Sequence, residues 1–106
     1  MTTAVPMPRE ETEERTRTQP PYHVVLINDD DHTYQYVILM LLELFGHPVE
    51  KGFQMAQEVD KSGRVIVDTT SLERAELKRD QIHAYGPDPR IPRCAGSMSA
   101  EIEPAW

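Results

Sequence analysis

Four consecutive polar residues, Asn28, Asp29, Asp30 and Asp31, follow the apolar run Val24 to Ile27. Three neighbouring carboxylates repel one another, and Asp is a poor residue for a strand interior. The segment therefore marks a loop, and its oxygens allow three chemistries. They could hold Mg²⁺ through oxygen ligands, as an acidic phosphoacceptor corner does. They could form a solvated turn that favours the positive N-terminal end of a following helix. Or they could capture an ammonium group. A free protein N-terminus, with a pKa of about 8, is largely protonated at neutral pH and offers three donors. Ionised Asp only accepts, and its bonds to such a group are charge-assisted. Asn28 adds a carbonyl and an amide for the backbone beyond the amine.

The elements around this loop follow from patterning. Tyr22 to Asn28 reads as a strand; its unbroken apolar centre predicts burial on both faces. Asp30, Asp31 or Thr33 is placed to cap the next helix, Thr33 to Gly46, with Gly46 as its left-handed terminator. Val37, Met40, Leu41 and Leu44 form one stripe on it, and Tyr34, Ile38, Leu42 and Phe45 a second. A helix this apolar needs cover on most sides, part of which a ligand could supply.

A second helix is expected over His47 to Gly63, with Val49, Gly52, Phe53, Ala56 and Val59 on one face. Arg64 to Thr69 reads as a strand. Thr70 and Glu73 match a capping box for a third helix, in which Leu72, Ala75, Ile82 and Tyr85 face inward and which Gly86 and Pro87 stop. A Pro-rich loop follows. Ser97 to Glu103 alternates as a half-buried strand with Met98, Ala100 and Ile102 inward. The order β-α-α-β-α-β predicts an α+β domain over 22–106, with three helices on a small three-stranded antiparallel sheet. Residues 1–21 carry four prolines and little to bury, and read as a flexible arm.

Composition narrows the function. A net charge of −7 argues against a nucleic-acid surface. Cys94 is the single cysteine, which excludes an internal disulfide and suits a reducing compartment. No apolar run is long enough for a membrane span or resembles a signal peptide, so a cytoplasmic protein is expected. The four histidines, His23, His32, His47 and His83, have no zinc-site spacing. Cys94 has no base near it in sequence, so a reactive thiol is not expected. No cofactor is expected. The Mg²⁺ alternative, a receiver-like phosphoacceptor, requires five parallel strands, a further Asp at a second strand end and a Lys at another. Here Asp68 lies late in its strand and the last strand has no Lys.

Several motifs in order, "V-x-L-x-N-D-D", "YV…L…LF", "G-R-x-I" after a helix end and "E-x-A-E-x-K", make Tyr22 to Ile82 resemble the ClpS family, adaptors of the ATP-dependent Clp protease. The resemblance implies a non-catalytic adaptor. It would bind proteins with a bulky apolar first residue (N-degrons) and hand them to a Clp AAA+ unfoldase of the ClpA or ClpC type. It implies that Asn28 and Asp29 hold the α-amino group and that Asp30 and His32 lie in the pocket loop. Tyr34, Val37, Ala56 and Met98 would wall the first side chain, and Glu73 and Lys78 would contact the unfoldase. The arm would match the family's N-terminal extension. Asp60 stands where the family has an amine-binding His, which implies a more negative, more salt-dependent site. With Tyr34 and Ala56 replacing methionines, the preferred first residue stays open. A ClpS-like scaffold that no longer binds standard N-degrons is the further alternative.

Overall fold

The computed structural model describes residues 19–106, so most of the expected arm lies outside the described residues. The elements are β1 (Tyr22–Ile27), α1 (Tyr34–Phe45), α2 (Val49–Ser62), β2 (Arg64–Thr70), α3 (Leu72–His83) and β3 (Ser99–Pro104). The three strands form one sheet in the order β2-β1-β3, both pairs antiparallel. This is the expected α+β arrangement. It is not the parallel five-stranded sheet of a receiver, and the phosphoacceptor alternative falls with it.

The centre of β1 is buried on both faces, because β-branched and apolar residues occupy every position there. Val24 and Leu26 join the core under the helices with Val65, Val67, Val37, Met40, Leu41, Ala56, Ala75, Ile82 and Met98. Val25 points the other way and is also fully buried. Register explains its cover. Arg64 lies opposite Ile27 on one neighbouring strand, and Glu103 lies opposite His23 on the other. The ion pair between them, 2.7 Å long, spans β1 across Val25.

Local signals set most boundaries. Thr33 caps α1, its Oγ1 accepting from the Tyr36 N–H at 3.1 Å, and Gly46 ends it in the left-handed region at φ 73°. Gly52 packs against Ile38 where α1 and α2 meet; a Cβ there would stand 3.4 Å from the Ile38 Cα, an ordinary contact distance. Between Val24 and Val25 the register of β1 with β2 shifts by one residue, leaving Val67 extra. Its carbonyl accepts from Nε2 of His47 at 2.7 Å, so His47 ties the α1–α2 turn to the bulge.

Three expectations change. Val49 and Phe53 are exposed, because the line of α2 buried in the core is Gly52, Ala56 and Val59. The stripe through Leu42 is only partly covered; Leu39 and Leu42 are each 42% exposed. The cap of α3 is Ser71, not Thr70, because β2 runs on to pair Thr70 with Tyr22; the Ser71 Oγ accepts from the Arg74 N–H at 3.3 Å.

The Pro-rich segment 84–98 is tied down by Asp88, which is 1% exposed. One of its oxygens accepts from both the N–H and the hydroxyl of Thr33, each at 2.8 Å. The other accepts from the Arg90 N–H at 3.0 Å and its guanidinium at 3.2 Å. Burial alone would raise the pKa of this carboxyl, but the donors of Thr33 and Arg90 outweigh it and hold the value at about 2. The folded value lies below the ordinary value near 4, so the charged carboxylate's stabilising contribution is complete above about pH 4 and fades as pH falls toward about 2. Asp88→Ala is expected to destabilise the domain by on the order of 2 kcal/mol, since it strands buried donors. Urea unfolding curves should show that difference at pH 6 and show it shrinking below about pH 4; a constant difference would refute the clamp.

Candidate functional site

The acidic loop leaves the sheet where the Asn28 N–H donates to the Gly63 carbonyl at 3.0 Å, beside the end of α2. Asp30 then adopts φ 63°, a left-handed conformation that Asp tolerates better than most residues. Asn28 holds it there from both ends of its amide: Nδ2 donates to the Asp30 carboxylate at 3.0 Å, and Oδ1 accepts from the Asp30 N–H at 3.2 Å. Asp31 lies apart, paired with the exposed Arg93 at 3.0 Å.

Asp29 is built differently. Its Oδ1 accepts from the Asp31 N–H at 3.1 Å and from Nδ1 of His32 at 2.7 Å. Its Oδ2 accepts nothing from the described residues, and the side chain is 34% exposed. One oxygen thus fixes the carboxylate while the other stays open to a donor. The His32 side chain is only 3% exposed. Its Nε2 lies 2.9 Å from the Gly96 carbonyl, joining the acidic loop to the segment that leads into β3. The ring also packs against Tyr36, with centroids 4.5 Å apart.

Asp60 lies on α2 and accepts from the Tyr34 hydroxyl at 2.9 Å. That bond, burial and the nearby negative charge raise the Tyr34 pKa. The Tyr34 ring meets the Phe53 ring edge-on at 5.7 Å. Tyr34 therefore spans from the first turn of α1 to two points along α2. The other expected wall residues, Val37, Ala56 and Met98, are 3%, 1% and 2% exposed and form one continuous cluster. All three belong to the buried core under the helices. A hollow of about 210 Å³ lies elsewhere, lined by Tyr36, Leu39, Tyr85, Pro87, Pro89 and Arg90.

The two residues expected to meet a partner differ in access. Glu73 is exposed on the first turn of α3. Lys78 is buried: its ammonium donates to the Leu44 carbonyl at the end of α1 and lies 5.4 Å from the centre of the Phe45 ring. That cation completes a helix C-terminus, and little of it faces a partner.

Sequence reasoning passes over Asp88 altogether and gives Cys94 no partner. Asp88 holds the cap of α1 from 55 positions away. Cys94 places Sγ 3.3 Å from Nε2 of His32, although the sequence shows no base near it. Distance along the chain hid both. Among the described residues no three His, Cys, Asp or Glu side chains are grouped to hold a metal ion, and no helix is long and apolar enough to cross a membrane.

Comparison with known proteins agrees with this architecture. The model of the family "ATP-dependent Clp protease adaptor protein ClpS" matches residues 17–89. The Clp protease adapter protein ClpS of Vibrio atlanticus is 37% identical over 81 residues, covering 74% of this chain and 76% of that protein. Its counterpart from Vibrio cholerae is 38% identical over 74 residues, covering 68% and 70%. The structure of Agrobacterium tumefaciens ClpS2 bound to L-phenylalaninamide superposes with a TM-score of 0.69 at 22% identity, over 80% of this chain and 96% of that one. With the order of its strands and helices, the match across most of its domain and these relatives, the chain belongs to the ClpS family of Clp protease adaptors.

Proposed function

We propose that this protein binds the free N-terminus and bulky apolar first residue of N-degron substrates and delivers them to a Clp AAA+ unfoldase. The observation that carries this reading is the state of Asp29. Its Oδ1 is fixed by His32 and the Asp31 N–H, and its Oδ2 is open. A carboxylate fixed on one oxygen loses little freedom when the other takes a charge-assisted bond from an ammonium. The structurally similar Agrobacterium protein is bound to L-phenylalaninamide, which has a free α-amino group on a bulky apolar residue. That ligand class supports the same reading here. Asn28, used up within the loop, acts by shaping it; it turns to the peptide backbone only by exchanging its bonds to Asp30. Asp60 becomes a second acceptor when Tyr34 releases it. On this reading Tyr34 swings aside to admit the first side chain toward Val37, Ala56 and Met98. Unfoldase contact falls to the exposed Glu73 side of α3, with Lys78 bracing that helix against α1. The reaction is binding and transfer, with no chemistry on the peptide.

One observation favours a second reading, a scaffold that keeps its protease partner without standard N-degrons. Tyr34 occupies Asp60, and Val37, Ala56 and Met98 are all buried in the core. Peptide titration separates the two, since only the first requires saturable binding of a free amine.

Fluorescence anisotropy with peptides that differ only in residue one is expected to show binding for large apolar residues. Acetylating the amine should abolish it; equal binding of acetylated peptide would end the ammonium assignment. Asp29→Ala should weaken binding about 10- to 100-fold, the worth of a hydrogen bond to a charged group, with circular dichroism unchanged. Tyr34→Phe removes the bond to Asp60 and should strengthen binding about 2- to 10-fold. Weaker binding in that variant would mean that the hydroxyl itself holds the peptide.

A further inference from the structure

Cys94, His32 and Asp29 form a connected row that amine binding does not use in full. Sγ of Cys94 lies 3.3 Å from Nε2 of His32, and Nδ1 of the same ring lies 2.7 Å from Oδ1 of Asp29. The Asp88 N–H also donates to Sγ, at 3.3 Å. The Gly96 carbonyl stands 3.2 Å from Sγ and 2.9 Å from Nε2, so it accepts from whichever of the two carries the proton. Cys94 is half-buried, while the His32 side chain is shielded. A thiol beside an imidazole whose far nitrogen is fixed by a carboxylate has a nucleophile, a base and an orienting group. The two ring nitrogens face opposite ways, so the row does not converge on a metal.

We propose that Cys94 is a modification site for hydrogen peroxide and small electrophiles, with His32 as its base and Asp29 as the carboxylate that positions His32. The Sγ proton passes to Nε2, and the Asp88 N–H remains on the thiolate. Sulfur then attacks one peroxide oxygen; the S–O bond forms as the O–O bond breaks. The departing hydroxide takes the proton from Nε2 and leaves as water. Sulfur loses two electrons, the peroxide gains them, and the products are a sulfenic acid at Cys94 and one water.

The test is the rate of modification of the full chain at pH 7, in which Cys94 is the single cysteine. Iodoacetamide reports the thiolate by intact mass. Dimedone trapping after peroxide reports the sulfenic acid and is blind to oxidised methionine. The folded protein should react at least about tenfold faster than the same chain unfolded in urea, although its thiol is half-buried. His32→Gln should bring the rate to the unfolded value or below while the circular dichroism spectrum stays native, and Asp29→Asn should lower it less. A folded rate no higher than the unfolded one overturns the proposal, and that comparison stands even if His32→Gln fails to fold. A native His32→Gln that reacts as fast as the wild type overturns it too. An Asp29→Asn rate equal to wild type refutes the positioning role of Asp29.

Discussion

The site depends first on a buried carboxylate. Asp88 takes both donors of Thr33 on one oxygen and both donors of Arg90 on the other, and so compensates its loss of water. Thr33 is the cap of α1, so the carboxylate sets where that helix starts. The acidic loop is closed between that start and the end of β1. The same carboxylate fixes the Pro-rich segment, which brings Gly96 and Cys94 to His32. A loop with few apolar contacts is thereby given one geometry by hydrogen bonds that solvent cannot easily replace.

His32 passes that order on to the ligand side. Its Nδ1 donates to Asp29 and its shielded ring sits beside Gly96 and Cys94, so the carboxylate expected to meet an amine is held next to the segment leading into β3. The family resemblance places an imidazole on α2, where this chain has Asp60. Here the imidazole next to the site lies in the loop instead and acts behind Asp29. Asp60 is met by the Tyr34 hydroxyl, which partly compensates the added negative charge. Asp60 and Tyr34 are thus one feature: a carboxylate and the phenol that donates to it.

The helices contribute rigidity at some cost in exposure. Lys78 completes the C-terminus of α1, and His47 pins the α1–α2 turn to the bulge at Val67. In return Leu39, Leu42, Val49 and Phe53 stand partly in solvent. A chain with this little apolar material cannot cover every face of three helices.

Local pattern determined much of this protein. The apolar centre of β1, Gly46 and Gly63 as helix ends, and the alternation of Ala100 and Ile102 gave the elements and their order, because propensity and periodicity act over a few residues. The placement of Asn28 and Asp29 at a strand exit was legible for the same reason. Where a competing partner lay elsewhere in sequence, local reasoning missed. Pairing with Tyr22 kept Thr70 in β2 and gave the α3 cap to Ser71. An unpaired carbonyl at the end of α1 drew Lys78 inward. Asp88 and Cys94 looked like ordinary loop residues until the fold brought them to Thr33 and His32, 55 and 62 positions away. The sequence by itself determined which residues carry charge and where the chain turns. The tertiary structure decided which oxygen of Asp29 is free and which imidazole stands behind it, because hydrogen-bond partners are chosen by proximity in space.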